Sequence, residues 1–546
     1  MTEPPAPASR PARVRYGAAA LSGVLLALAF PPFGLSFLAW VALVPWFALL
    51  LADGARAQKG PAVLFGFLFF TLGLSWLSPL SLFFPPGVAL LMAIYPLLFA
   101  ILARHAAPLG PTAQALLLPC LWVGLDLLRQ HLLTGFPWLF PGHALAGCAD
   151  LRQCADLGGA HLLTFLVVLA NTAGAVLLAG DLPVRVRWGI GGAALLLPIL
   201  STAYGVERRE SIRDRPGPRV LLVQPCFPQS LKKEARESLP SSERMRSEQL
   251  ALTSTGLHEH GDADLVVWAE TMIPGELEFA TRGGRGPDIG TARYLGDLTD
   301  FMGIVREKDL RFLAGAKVRD ADKGCRNAGL LLGPRGALQA RFSKVRLVPF
   351  GEYIPLLSLL PAKTQDSILR WVMSFSPFPP DLLPGDAPPA ELAIPGGRAV
   401  RLGGLVCYEV VFPGLARERA LAGADVLVNL SNYAWYGAGM REQALDMTRL
   451  RAVETRRPVA VATNDGPTAV VDGNGEVRAR LPEGQAGVLF AEVPLDGRGS
   501  LYLRVGDLFA WICAAAGLLG AGRGWRRGRR GGRAGSQNQP ETPKNC

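Results

Sequence analysis

Residues 16–204 form long apolar stretches separated by short polar connections, whereas residues 205–500 alternate short β-branched runs with mixed, helix-like segments. Two solvents are implied. A bilayer-crossing helix needs roughly 20 apolar residues, and candidates lie at 16–32, 36–52, 62–82, 86–103, 112–130, 160–180 and 187–204, with an eighth at 504–522. The FPPFG turn alone separates the first two. Alternate connections carry Arg56 and Lys59, then Arg104, then Arg185 and Arg187, while the SPLSLFFPPG loop has no charge. Basic connections stay in the cytoplasm, so the N-terminus is expected there, residues 205–503 outside, and the end of the chain back inside.

The outer region reads as α/β. RVLLVQ (219–224), DLVVWAE (264–270), RFLAGAKV (311–318), LGGLVCYE (402–409) and DVLVNLSN (425–432) have strand character, and 440–457 reads as a helix stopping before Pro458. AVATNDG and TAVVDGNGEV form a last strand pair with a Gly-Asn-Gly turn. The expected organisation is a cytoplasmic arm (1–15), seven spans (16–204), an extracytoplasmic domain (205–503, core about 218–497), an eighth helix (504–522) and a basic tail (523–546).

Composition sharpens this reading. Of 546 residues 50% are hydrophobic and only 18% charged, which excludes one ordinary soluble domain. The net charge of +11 gathers at the ends, in Arg10, Arg13 and Arg15 and in Arg523, Arg526, Arg527, Arg529, Arg530 and Arg533. Beside apolar spans such clusters indicate anionic headgroups rather than nucleic acid as partner. The eight cysteines show neither a CxxC pair nor zinc-ligand spacing, so no metal or cofactor is expected. A disulfide among Cys148, Cys154, Cys226 and Cys325 is left open. The first apolar stretch, followed by more spans, reads as a retained helix rather than a removed signal peptide.

Three residues at strand exits suggest chemistry. Glu270 ends DLVVWAE, Lys344 opens KVRLVPFGEYIP with Glu352 eight residues on, and Cys407 ends LGGLV. Singly, each has an ordinary role: a strand-end carboxylate, a solvated lysine, a small buried hydrophobe. Together they meet the needs of a cysteine nucleophile, which requires a base for its proton and a cation or amide donors for the oxyanion.

The order Glu, Lys, Cys resembles that of the nitrilase, or carbon-nitrogen hydrolase, superfamily. The strings WAETMIP, KVRLVPFGEYIP, CYEVVFP, LSNYAWYG and RAVETRRPVAVATNDG, with FPPFGLSFLAWVALVPW, LDLLRQHLLTGFPWLFPG and LGGAHLLTFLVVLANTA in the apolar region, resemble the apolipoprotein N-acyltransferase family over roughly residues 16–522. The resemblance implies a polytopic α-helical bacterial inner-membrane protein of about eight spans with an inserted nitrilase-like αββα sandwich. It implies an acyl chain passed from a membrane phospholipid, through a thioester on Cys407, to the α-amino group of a diacylglyceryl-modified apolipoprotein. Glu270 would be general base and Lys344 oxyanion stabiliser, with the Tyr408 backbone amide. Glu352 and Glu409 match motif carboxylates that orient Lys344 or hold the cleft loops; structural salt bridges are the other reading. The loops at Phe136, Pro137 and Trp138 and at Phe350 and Tyr353 are candidate lids, or interfacial anchors.

Four positions depart from the family pattern: Tyr433 for an Asp, Ala444 for a His, Val461 for an Arg and Ala269 for a frequent Pro or Ser before Glu270. They leave open a divergent paralogue with another amine acceptor. A membrane-tethered amidase or nitrilase-like hydrolase, with water resolving the acyl-cysteine, is the alternative enzyme; a transporter or lipid-binding membrane protein with a catalytically dead outer domain is the alternative class. Acyl-chain and headgroup preference and oligomeric state are not legible.

Overall fold

The computed structural model describes residues 10–52, 58–179, 183–212, 214–278, 299–307, 309–320, 324–373, 382–394 and 399–537. The apolar part begins with α1 (Ala12–Leu28), α2 (Val44–Ala52), α3 (Lys59–Gly73), α4 (Phe84–Met92), α5 (Ile94–Ala106), α6 (Pro111–His131), α7 (Ala155–Ala179) and α8 (Val184–Glu210). Among the described residues, five helical stretches are long and apolar enough to cross a membrane: Phe84–Leu109, Pro111–His131, Leu151–Leu178, Val184–Glu210 and Leu508–Arg530. The remaining three expected spans are shorter. α1 has 17 residues and α3 has 15, and the stretch expected at 36–52 is a 3-10 turn at Ser36–Trp40 followed by the nine-residue α2. Helix α1 packs on α3, and α2 on α7. Leu195, Leu196, Ile199 and Leu200 on α8 point outward, an apolar surface suited to lipid rather than water.

The remaining elements are β1 (Asp214–Arg215), β2 (Arg219–Gln224), α9 (Gln229–Glu234), α10 (Leu239–His260), β3 (Leu265–Glu278), α11 (Thr299–Glu307), β4 (Phe312–Asp320), β5 (Gly324–Leu332), β6 (Leu338–Ser343), α12 (Ala362–Met373), β7 (Ala390–Leu392), β8 (Val400–Val406), α13 (Pro413–Leu421), β9 (Val426–Ser431), α14 (Ala438–Thr455), β10 (Val459–Thr463), β11 (Ala469–Val471), β12 (Val477–Arg480), β13 (Gly487–Glu492), β14 (Leu495–Asp496), α15 (Leu501–Val505) and α16 (Leu508–Gln537). One sheet has the order β13-β2-β3-β4-β5-β6 and the other β12-β11-β10-β9-β8-β7. In each, three neighbouring strands run parallel, β2-β3-β4 and β10-β9-β8, and antiparallel strands flank them. The parallel strands are buried on both faces, hence the continuous apolar runs. The sheets stack through β3 on β9 and β10, with α10 outside one sheet and α13 and α14 outside the other. This is an αββα sandwich.

The inter-sheet layer fixes the height of the site. Phe342 of β6 lies against Gly329 of β5 and Gly404 of β8, and a Cβ at either glycine would collide with its ring. Lys344 follows two residues after that ring, and Cys407 three residues after Gly404.

Helix α14 also packs on α7, so the α/β domain sits directly on the bundle. Buried Arg456, its left-handed C-cap, donates to Asp156 Oδ2 from Nε at 3.1 Å and from Nη2 at 2.5 Å, and from Nη1 to Gln153 and the Gly473 carbonyl. Helix α7 breaks at Gly158 and Gly159; Gly159 has φ +67 and lies against the ring of Tyr502 in α15. The eighth apolar helix starts later and runs further than expected. Gly506 interrupts it after α15, and α16 continues past 522 to Gln537 because arginines favour helix. All seven described cysteines are free thiols, so no disulfide joins Cys148, Cys154, Cys226 or Cys325; Cys546 lies outside the described residues.

Candidate active site

Strand β8 delivers Cys407 to a sharp turn. Its backbone is left-handed, with φ +54, and it opens a 3-10 turn over Cys407–Val411. A non-glycine residue in that conformation is strained, which is tolerated where the surroundings hold it. Glu409 does the holding. It is fully buried, and its Oε2 accepts from the Val406 amide at 2.8 Å, while Oε1 accepts from the Val345 and Arg346 amides at 2.6 and 2.9 Å. One carboxylate thus ties the Cys407 turn to the chain leaving Lys344. Burial raises the pKa of Glu409, and the three amides work against that rise.

Beside the thiol stands a charge cluster. Lys344 Nζ lies 2.9 Å from Glu352 Oε1 and 3.4 Å from Glu270 Oε1, with Lys344 only 1% exposed. Burial disfavours the ammonium, but Glu352 and Glu270 outweigh it and hold the Lys344 pKa well above the ordinary lysine value. Asn327 Nδ2 donates to the same Glu270 oxygen at 2.7 Å, and Glu352 Oε2 accepts from the Val348 amide at 2.8 Å. Burial pushes the Cys407 thiol up and Glu270 adds to it; Lys344 and the Asn432 backbone amide pull the other way without reversing the result. The resting sulfur is a thiol, and a base must take its proton when it attacks.

The sequence-derived residues therefore meet: Glu270, Lys344, Glu352, Cys407, Tyr408 and Glu409 share one locus. Glu270, Glu352, Asn327, Asn432, Trp435 and Lys232 border a cleft of about 450 Å³. The Tyr408 ring points away from it, toward the bundle. Its hydroxyl donates to the Gly135 carbonyl at 3.2 Å and its ring stacks on Trp138. The Trp138 and Trp76 indoles both donate to Gln443 Oε1, at 2.6 and 3.1 Å, and Gln443 Nε2 donates to the Pro31 and Gly73 carbonyls. Trp138, 1% exposed, is thus fastened down, and only the Phe350 side of the proposed lids is open, at 49%.

A family model described as "Apolipoprotein N-acyltransferase N-terminal domain" matches residues 22–173, and one described as "Carbon-nitrogen hydrolase" matches residues 243–502. The apolipoprotein N-acyltransferase of Geobacter metallireducens is 33% identical over 542 residues, covering 94% of this chain and 95% of that protein. The chain belongs to the apolipoprotein N-acyltransferase family. The family member of Azotobacter vinelandii is 31% identical, with 91% of this chain and 92% of the relative covered. Among solved structures, Nit3 of Saccharomyces cerevisiae, from branch 10 of the nitrilase superfamily, matches 52% of this chain and 91% of its own, at 17% identity and a TM-score of 0.36. As a family member the protein is an acyltransferase, and its apolar helices make it a bacterial membrane protein.

The four departures within this apolipoprotein N-acyltransferase sequence are internal, Ala269 being buried in β3. Tyr433 is buried, its hydroxyl accepting from Ser431 Oγ at 3.0 Å and Asn429 Nδ2 at 3.4 Å; Ala444 is buried in α14 and Val461 in β10 between Asn429 and Ala469. None borders the cleft. Two residues escaped the sequence reading. Asn327, alone in GCRNAGLLL, carries no signal without its neighbour Glu270. Lys232 stands in QSLKKE beside exposed Lys233, and only the turn of a six-residue helix buries one and exposes the other.

Proposed function

We propose that this enzyme moves an acyl chain from a membrane phospholipid to the N-terminal α-amino group of a diacylglyceryl-modified apolipoprotein, through a thioester on Cys407. In the first half, Glu270 takes the thiol proton as sulfur bonds to the ester carbonyl carbon. The oxyanion rests on the Lys344 ammonium and the Tyr408 backbone N–H, which opens a helical turn and has no acceptor within it. Collapse breaks the ester C–O bond, and Glu270 returns the proton to the departing lysophospholipid. In the second half the amine attacks the thioester, Glu270 takes its proton, and the released sulfur recovers one as the thiol. Glu352 orients Lys344, and Glu409 positions the nucleophile turn. The catalytic domain, 205–503, stands on the extracytoplasmic face with both termini cytoplasmic, the arrangement that loop charge favours. Both substrates are lipid-anchored and reach such a site by lateral diffusion.

The observation that carries this reading is the buried Cys407 turn facing Lys344 with two carboxylates, in a chain alike along nearly its whole length to apolipoprotein N-acyltransferases. Mass spectrometry of the purified enzyme incubated with phospholipid tests it. A hydroxylamine-sensitive acyl mass on the Cys407 peptide, discharged by an N-terminal diacylglyceryl-cysteine peptide as an amide, is expected. An acyl mass discharged as free fatty acid despite the amine would assign a hydrolase instead.

A further inference from the structure

We infer that the cleft beside Cys407 contains a phosphate subsite, formed by Lys232, Arg236 and Lys317, that holds the phosphodiester of the acyl donor. The inference rests on the reading of that donor as a phospholipid. All three cations border the cleft that also meets Glu270 and Glu352. Lys232 comes from α9 and Arg236 follows it, while Lys317 on β4 is paired directly with Asn327 on β5, which puts the two on one face.

The charge balance is uneven. Lys344 already sits on both carboxylates of the cleft. Lys232 Nζ spends its donors on the Glu270 carbonyl at 3.2 Å, the Thr271 carbonyl at 3.1 Å and the Thr271 hydroxyl at 3.0 Å. Arg236 and Lys317 make no ion pair among the described residues. With Lys232 protonated, four cations face two carboxylates, 4 − 2, a surplus of two positive charges. Burial pushes the Lys232 pKa down to about 7, Glu270 opposes that, and Arg236 adds to the depression. An anion in the cleft reverses the effect of this crowding: phosphate, with several acceptor oxygens, can accept from Arg236 and Lys317 together, while Lys232, its donors already spent, adds its charge alone.

The position suits a lipid. Asn432 borders the cleft and donates its backbone amide to the Cys407 sulfur, so the cleft lies next to the nucleophile. In a glycerophospholipid only the glycerol unit separates the acyl ester from the phosphodiester. A donor with its ester carbonyl at the sulfur thus has its phosphate only a glycerol unit away, within the cleft that these three side chains border.

Lys232 also holds the backbone at Glu270, so its loss has two consequences; half-buried Arg236 and Lys317 give the cleaner test. The full-length enzyme and its Arg236→Gln, Lys317→Gln and double variants are incubated in detergent with either phosphatidylglycerol or dipalmitoylglycerol, which has the ester and no phosphate. Acyl-Cys407 formation is followed by mass spectrometry at subsaturating donor. The ratio of phospholipid-dependent to diacylglycerol-dependent rate is expected to fall about tenfold for each single variant, the value of one charged hydrogen bond. Inorganic phosphate should compete with the phospholipid in the wild type and fail to in the double variant. An unchanged ratio overturns the subsite and leaves the acyl-transfer reading standing. Phosphate competition with an unchanged ratio also overturns it, by assigning the cations to free phosphate. A wild-type enzyme acylated by neither donor removes the acyl-transfer reading and the subsite together.

Discussion

Replacing Glu352 with Gln isolates what the second carboxylate does for Lys344. The two groups lie 2.9 Å apart with side chains 13% and 1% exposed. At an effective dielectric of about 20 the attraction lost is about 6 kcal/mol. A hydrogen bond from the ammonium to the new amide oxygen restores about 3 kcal/mol. The remaining deficit of about 3 kcal/mol favours the neutral amine, and at about 1.4 kcal/mol per pH unit it lowers the alkaline limit of acylation by about two pH units. The amide has a further difficulty. Glu352 also accepts from the Val348 amide, and Gln cannot present an acceptor to both donors. In the wild type the raised Lys344 pKa contributes stability that is complete below the ordinary lysine value and is lost as pH rises through the raised one. The variant loses it sooner. The assay is the rate of acyl-Cys407 formation from phospholipid micelles between neutral and alkaline pH. An alkaline limb in the wild-type position, or an equal loss at every pH, refutes the electrostatic role.

Other changes have equally definite outcomes. Cys407→Ala abolishes acyl transfer and leaves the protein in the membrane fraction; full activity in this variant would sink the mechanism. Cys407→Gly, relieved of the left-handed strain, unfolds in detergent at a higher temperature than Cys407→Ala, the difference being worth about 1 kcal/mol; equal Tm values would deny strain at the turn. Gln443→Leu strands two buried indole N–H groups and two carbonyls and costs about 2–4 kcal/mol, read as a lower Tm and faster proteolysis between bundle and domain. Arg456→Lys keeps the charge but cannot form the fork on Asp156 while reaching Gln153 and Gly473; a loss of about 2–3 kcal/mol in thermal unfolding is expected.

Hydropathy marks apolar helices well because lipid demands a nearly uniform surface, and all eight expected stretches contain helix. It says less about length. The stretch at 36–52 is broken near its start by a 3-10 turn, and that at 62–82 ends as α3 at Gly73. Strand β3 was legible only to Glu270, because Pro274 and Gly275 read as a loop. The chain continues as strand through two register shifts, where a missing proline N–H costs no ladder bond. Glu270 and Cys407 stood out as polar groups ending apolar runs, and Lys344 only as the opening of KVRLVPFGEYIP. Glu352 and Glu409 were visible only as companions of those motifs, since their partners are backbone amides and, for Glu352, the lysine eight residues before it. Asn327 and Lys232 gave no warning, because their significance lies in which side chain or carbonyl they meet across the fold.

Gln443 and Arg456 belong to one helix, α14, whose two ends grip different parts of the bundle. A domain pinned at two points along a single rod can neither swivel nor rise on a hinge between those points. The sulfur of Cys407 consequently keeps one elevation relative to the apolar helices. A polypeptide whose terminal amine is held by a lipid anchor presents it within a narrow layer, whereas the amines of lysines further along the chain stand at many heights. On the proposed reading of the acceptor, selection of the terminal amine follows from where the reactive atoms are fixed, with no requirement to read the sequence that follows.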